Sequence, residues 1–178
     1  SMQVKDTEKD DLGSLATSLN EMTLALKSSF DELNDNEWRQ AGLALLNEKL
    51  MGNKSQENIS KDVLHHLVGY TGSLNGAFYL LEAGVLQLQA AYGLEASMKE
   101  TYALGEGMVG QTFDDGRERI FENIAQDSRY VVSFASGQIQ VNHLILLPIL
   151  FEGQSIGIIE LGAVDSFHTL DIAFLKEA

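Results

Sequence analysis

The chain has 178 residues, enough for one full domain plus an extra element. It has no cysteine, which excludes a disulfide framework, a thiol nucleophile, a thiolate metal site and a thioether-linked chromophore. The net charge of −14, from 26 acidic and 12 basic residues, opposes a polyanion, so nucleic acid and anionic membrane surfaces are poor partners.

The longest apolar run, Leu144 to Phe151, is far shorter than the roughly 20 residues of a membrane span. No signal peptide is legible, Ser1-Met2 reads as a cloning remnant, and the last residues stop inside a helical pattern. Both ends therefore read as cuts in a longer protein, of which this is a soluble part.

Leu12, Leu15, Leu19, Met22, Leu26, Ser29 and Leu33 recur at alternating steps of three and four, a heptad seam broken only by the small Ser29. Asp10 and Asp11 stand where the positive end of a helix dipole favours acids. A helix with one narrow apolar stripe needs a partner, and a parallel copy of itself is the simplest. The next seam positions, Asn36 and Gln40, are polar, so residues 34–37 mark a change of phase. Beyond them Trp38, Ala41 and Leu45 form one stripe and Leu43, Leu46 and Leu50 another. At about 100° per residue these lie roughly 140° apart. One face is expected to cover a sheet and the other, with Trp38, to meet a second subunit. Gly52-Asn53 then closes the helix.

A second helix is expected from about Gln56 to Thr71. Ala77 to Leu81 and Val85 to Ala91 read as a hairpin around Glu82-Ala83-Gly84. Gly105-Glu106-Gly107 leads into a short helix, Met108 to Phe113, closed by Asp114-Asp115-Gly116. Arg119 to Asn123 reads as a strand. Leu144 to Phe151 and Ser155 to Val164 form a second hairpin, mostly apolar as for central strands, although Pro148 is out of place in one. Phe167 to Lys176 returns to helical spacing. The sum is an α+β fold, an antiparallel sheet with helices packed on it, and the long stretch between the hairpins is where a pocket can form.

Leu104-Gly105-Glu106-Gly107-Met108-Val109-Gly110-Gln111 resembles the signature of GAF domains. Leu147-Pro148-Ile149-Leu150-Phe151-Glu152-Gly153 with Ile156 to Leu161 resembles their paired C-terminal strands, and Ala90-Ala91-Tyr92-Gly93-Leu94 the close of their first hairpin. The likeness spans about 38–178 and implies a sheet of five to six strands flanked by helices. Asp11-Leu12-Gly13 with Leu19-Asn20-Glu21-Met22-Thr23 is similar to the second helix of a HAMP linker, with Leu19 in place of the usual aromatic. The implied organisation is a coiled-coil signalling helix over 1–35, the C-terminal part of such a linker, then a GAF domain over 36–178. What it implies is the cytoplasmic side of an inner-membrane receptor, most often a hybrid sensor histidine kinase. Such a receptor is a parallel homodimer that relays signal to an output module in the same chain. Chemoreceptor or cyclase outputs are the alternative.

Among residues that could carry chemistry, adjacent His65 and His66 point about 100° apart on a helix and cannot chelate one metal together. One of them facing the first helix is the better reading. Gly105 to Gly110 lacks the Lys-Ser/Thr ending of a phosphate loop and reads as a structural turn. Asp114, Asp115 and Glu118 could be Mg²⁺ ligands but sit at a turn, where solvated acids are ordinary. Small-molecule GAF domains bind between the sheet and the middle insertion, and the matching residues are Phe113, Phe121, Arg129, Tyr130, Phe134 and His143. They would suit a small aromatic or heterocyclic ligand, although the reading the residues favour is that they fill the core of a ligand-free domain. The family's cyclic-nucleotide run is missing. Without cysteine, bilin attachment and methionine-sulfoxide reduction are excluded too. No metal, cofactor or catalytic residue is expected, and the fragment reads as non-enzymatic.

Overall fold

The computed structural model describes residues 5–94, 99–124 and 131–178, with side chains from Gly13 onward. The first helix, α1, runs without a break from Lys5 to Leu50. It contributes to two compact units, 1–41 and 42–178. The polar residues at 34–37 shift the apolar stripe and leave the backbone helical, because side-chain phase and main-chain hydrogen bonding are separate matters.

In the first unit the seam is uncovered. Leu15, Leu19, Met22, Leu26 and Leu33 are 54–60% exposed. Leu12 lies outside the described side chains. Phe30, 63% exposed, stands about 40° from Leu26 and fills out the stripe beside Ser29. Trp38 is half-buried.

In the second unit α1 buries Gly42 and Leu46 and half-buries Leu43, while Leu45 and Leu50 are exposed, as is Ala41 at the end of the first. The helix ends before Gly52, whose φ of +103° suits glycine. Helix α2, Gln56–Thr71, starts where Ser55 Oγ accepts from Asn58 N at 3.3 Å. It stops where Gly72 takes the left-handed conformation and donates to Val68 O.

Next come β1 (Asn75–Glu82), β2 (Val85–Tyr92), β3 (Thr101–Ala103), α3 (Gly107–Asp115), β4 (Arg119–Phe121), β5 (Val131–Phe134), β6 (Gly137–Gln140), β7 (His143–Phe151), β8 (Gln154–Ala163) and α4 (Thr169–Glu177). Six strands form one antiparallel sheet in the order β3-β2-β1-β8-β7-β4, and β5 pairs with β6 separately. The β1–β2 and β7–β8 turns each hold two residues with positive φ, Ala83-Gly84 and Glu152-Gly153, as tight hairpins require. Pro148 is tolerated because β4 pairs only with Leu144 to Leu146, so at 148 one side of β7 has no neighbouring strand among the described residues.

The sheet has two covered faces. A Cβ on Gly76 would meet Leu64 Cδ1 of α2 and Leu161 Cδ2, each at 2.9 Å, so Gly76, Phe78 and Leu161 look toward α2. Ala77, Tyr79 and Ile158 look the other way and form a core with Val109 and Phe113 of α3, Leu86 and Leu146. On the α2 side the three helices converge at one point. Phe174 of α4, fully buried, packs at 4.8 Å against Tyr70, and His66 stacks on Tyr70 at 5.4 Å. His66 Nε2 lies 2.9 Å from Gly42 O of α1, so of the two adjacent histidines His66 is the one turned to the first helix. His65 instead meets Tyr92 edge-on at 5.1 Å.

Candidate functional site

The α3 face of the sheet is where the middle insertion crosses the strands. Register fixes its floor: Asn75 opposite Gly162, Ala77 opposite Glu160 and Tyr79 opposite Ile158 across β1 and β8, then Leu144 and Leu146 on β7, then Phe121 on β4. Alternation of side chains along each strand puts all of these on one face. Half of the floor, around Tyr79 and Ile158, lies under Val109 and Phe113. The other half, around Leu144, is joined to Val132 of β5 and Val141, with Phe121 touching both clusters.

The entry to α3 is held by a polar lattice. Tyr79 Oη donates to Lys99 O at 2.9 Å and its ring meets Tyr102 edge-on at 5.4 Å. Lys99 Nζ sits 4.7 Å over the Tyr102 ring and pairs with Glu106, whose other oxygen accepts from Ala103 N at 2.8 Å. The Lys99 ammonium, then the Ala103 amide, hold the Glu106 carboxyl below its ordinary range. Gly110 is required here: a Cβ would lie 2.7 Å from Ala103 O and 2.9 Å from Gly105 N. The Gly105–Gly110 segment is therefore a packed turn that seats α3 on β3. Of the nearby acids, Asp115 pairs with Arg119 and Glu118 with Lys176 of α4. Among the described residues no three His, Cys, Asp or Glu side chains are grouped to hold a metal.

Of the residues expected to line a pocket, Phe113 and Phe121 come together on this face. Phe134 is 48% exposed near the end of β5, paired across the hairpin with Gly137. His143 does not join them. It is an odd-numbered residue of β7 opposite Ala163, on the same face as Ile145 and Leu147, and so looks toward the α2 side. Arg129 and Tyr130 lie outside the described residues. Sequence reading missed Asn75, Thr112 and Glu160. Asn75 and Thr112 are at most 1% exposed, and Asn75 Nδ2 and Thr112 Oγ1 have no hydrogen-bond partner among the described residues. Glu160 is half-buried at the middle of the floor. For Glu160 the available signal was a single charged residue in the otherwise apolar run Gly157 to Leu161. The arrangement is an apolar floor with a few polar side chains, suited to holding a small molecule or to simple packing.

Solved structures with this architecture include the nlh2 GAF domain of A. aeolicus in an inactive state, with a TM-score of 0.63 at 21% identity, covering 80% of this chain and 90% of that one. The GAF domain of a phosphoenolpyruvate-protein phosphotransferase from Coxiella burnetii scores 0.62 at 17% identity over 82% and 88% of the two chains. The free methionine-R-sulfoxide reductase of Neisseria meningitidis, in complex with its substrate, scores 0.58 at 16% over 80% and 82%. At these identities the likeness is one of fold. No curated protein matches the chain. Among the described residues no helix is long and apolar enough to cross a membrane. The GAF domain model matches residues 53–178, most of the sequence and all of the sheet, and the chain belongs to the GAF domain family.

Proposed function

We propose that the chain is a signal-relay fragment of a bacterial membrane receptor, which pairs with a second copy through α1 and passes a conformational change across its GAF domain. GAF domains are signalling and ligand-binding modules, and the relay assignment rests on one observation: a heptad stripe, uncovered from Leu15 to Leu33, on a helix that continues to Leu50. The resemblance of Asp11 to Thr23 to a HAMP helix supports a sensor histidine kinase as the parent. In this reading the output is a kinase module in the same chain, and the fragment is cytoplasmic and regulatory. The absence of any cysteine from the sequence sets it apart from thiol chemistry.

The energetics favour a weak pair. Full burial of an apolar side chain contributes roughly 1.5–3 kcal/mol, so five residues a little over half exposed contribute about 1 kcal/mol each, or about 10 kcal/mol for two helices. Association costs roughly 4–15 kcal/mol, so the balance is close and small terms decide it. Light scattering on the whole chain and on one beginning at Trp38 tests the reading. A dimer that becomes a monomer on truncation is expected. A whole chain that is monomeric at high micromolar concentration sinks the proposal.

The α3 face supports a second reading, an independent small-molecule receptor with α1 as its tether. Asn75 Nδ2, buried without a partner among the described residues, is the observation in its favour. Thermal shift against a metabolite panel discriminates the two, since a ligand of the folded state raises the melting temperature.

A further inference from the structure

The seam fixes what lies beside it. With Leu12, Leu19, Leu26 and Leu33 at one core position of the heptad and Leu15, Met22 and Ser29 at the other, the flanking positions follow. They are Ala16, Thr23, Phe30 and Glu37 on one side and Ser18, Ala25, Glu32 and Arg39 on the other. In a parallel, in-register pair each residue of the second set meets, on the other helix, the residue of the first set five places further along. Ser18 then faces Thr23 and Ala25 faces Phe30, neutral contacts that let the seam close. Glu32 faces Glu37, and by symmetry this happens twice.

We infer that the paired helices carry a built-in repulsion between Glu32 of one copy and Glu37 of the other, so that the coil is held together ahead of Ser29 and splays where it approaches the domain. Both glutamates are exposed. Neither has a Lys or Arg three or four places away in its own helix to neutralise it: Glu32 has Ser28, Ser29, Asp35 and Asn36, and Glu37 has Leu33, Asn34, Gln40 and Ala41. Arg39, two residues beyond Glu37, places Nη2 2.6 Å from Asn36 Oδ1. Asn36 is itself the next core position, so seam polarity and like charge fall within one turn. That turn lies just before the first unit ends at Ala41. Weak pairing at this point lets the two helices change their spacing without separating further up, which is what a relay through α1 requires.

The inference rests on the proposed pairing, and charge reversal in the whole chain separates the two. Sedimentation equilibrium is run on the wild type, Glu32→Lys, Glu37→Lys and the double variant at low salt. Each single variant replaces two Glu–Glu contacts with two Glu–Lys contacts, and its dimer dissociation constant is expected to fall about tenfold, equivalent to about 1.4 kcal/mol. The double variant restores like charges, Lys against Lys, and is expected to return to the wild-type value. In 1 M salt, where the screening length falls to about 3 Å, the four proteins converge. The double variant also controls for net charge. Each Glu→Lys change adds two, so the singles stand at −14 + 2 = −12 and the double at −14 + 4 = −10. A double variant tighter than either single means that only net charge matters and overturns the inference. Dimers insensitive to all three changes overturn it as well and leave the pairing intact. Monomers throughout overturn the pairing itself.

Discussion

Placing a methyl group on Gly42 should destabilise the protein, against the usual preference of helices for alanine. In an unobstructed helix interior Gly→Ala gains about 0.8–1.0 kcal/mol. At 42 the new Cβ would sit 2.4 Å from Tyr70 Cε1 and 2.7 Å from Phe174 Cε2, where carbon atoms prefer about 3.5–4.0 Å. The rings have little room to retreat. Phe174 is fully buried, tilted against Tyr70 at 4.8 Å, with His66 edge-on to it at 6.2 Å. Overpacking of this kind costs about 1–3 kcal/mol, so Gly42→Ala should lose about 1 kcal/mol net, up to about 2. Gly69 of α2 is the matched control, since nothing lies within 4 Å of its Cβ position. Gly69→Ala should gain about 0.5–1 kcal/mol. Urea unfolding followed by far-ultraviolet circular dichroism measures both, and a midpoint that moves without a change in slope attributes the effect to stability. The two variants should be separated by about 2 kcal/mol. If Gly42→Ala is as stable as Gly69→Ala, the close approach of the three helices at this point is wrong.

Three further outcomes follow from the same structure. Ile158→Ala, at a fully buried position between α3 and β1, should cost about 2–5 kcal/mol in urea unfolding, and a loss under 1 kcal/mol would show that the α3 side of the sheet is loosely covered. Gly72→Ala forces a left-handed residue, at φ of +68°, to carry a Cβ, and should lower stability by about 1 kcal/mol although nothing crowds the site. The Glu118 carboxyl is held below its ordinary range, chiefly by the hydrogen bond from Lys176. A lowered folded value means that the stabilisation is present above the unfolded value of about 4.3 and is lost as pH falls through the folded one. The stability difference between wild type and Glu118→Gln should therefore shrink from pH 5 downward; a difference constant to pH 3 would contradict the Lys176 contact.

Much of this protein follows from local rules. The seam from Leu12 to Leu33, the extent of α2, the two hairpin turns and α4 each follow from residues within a few places of one another, because periodicity and turns are short-range effects. The α+β class follows from their sequence. Of the short strands only β4 was legible, within Arg119 to Asn123; β3 with three residues and β5 and β6 with four each are too short for an alternation to stand out from a loop. What only the tertiary structure decided is which strand lies beside which and which face each residue shows. The pairing of β1 with β8 joins segments some eighty residues apart, and no local signal encodes it. That pairing turns Glu160 and Asn75 onto the α3 face, and the β7–β8 register puts His143 on the other. A side chain's face in a strand alternates with every residue, so a reading without register cannot tell pocket from helix side. The heptad stripe lies at the opposite extreme. The fold of a single copy leaves it uncovered, and under the proposed pairing its contacts, down to Glu32 against Glu37, are read from the sequence alone.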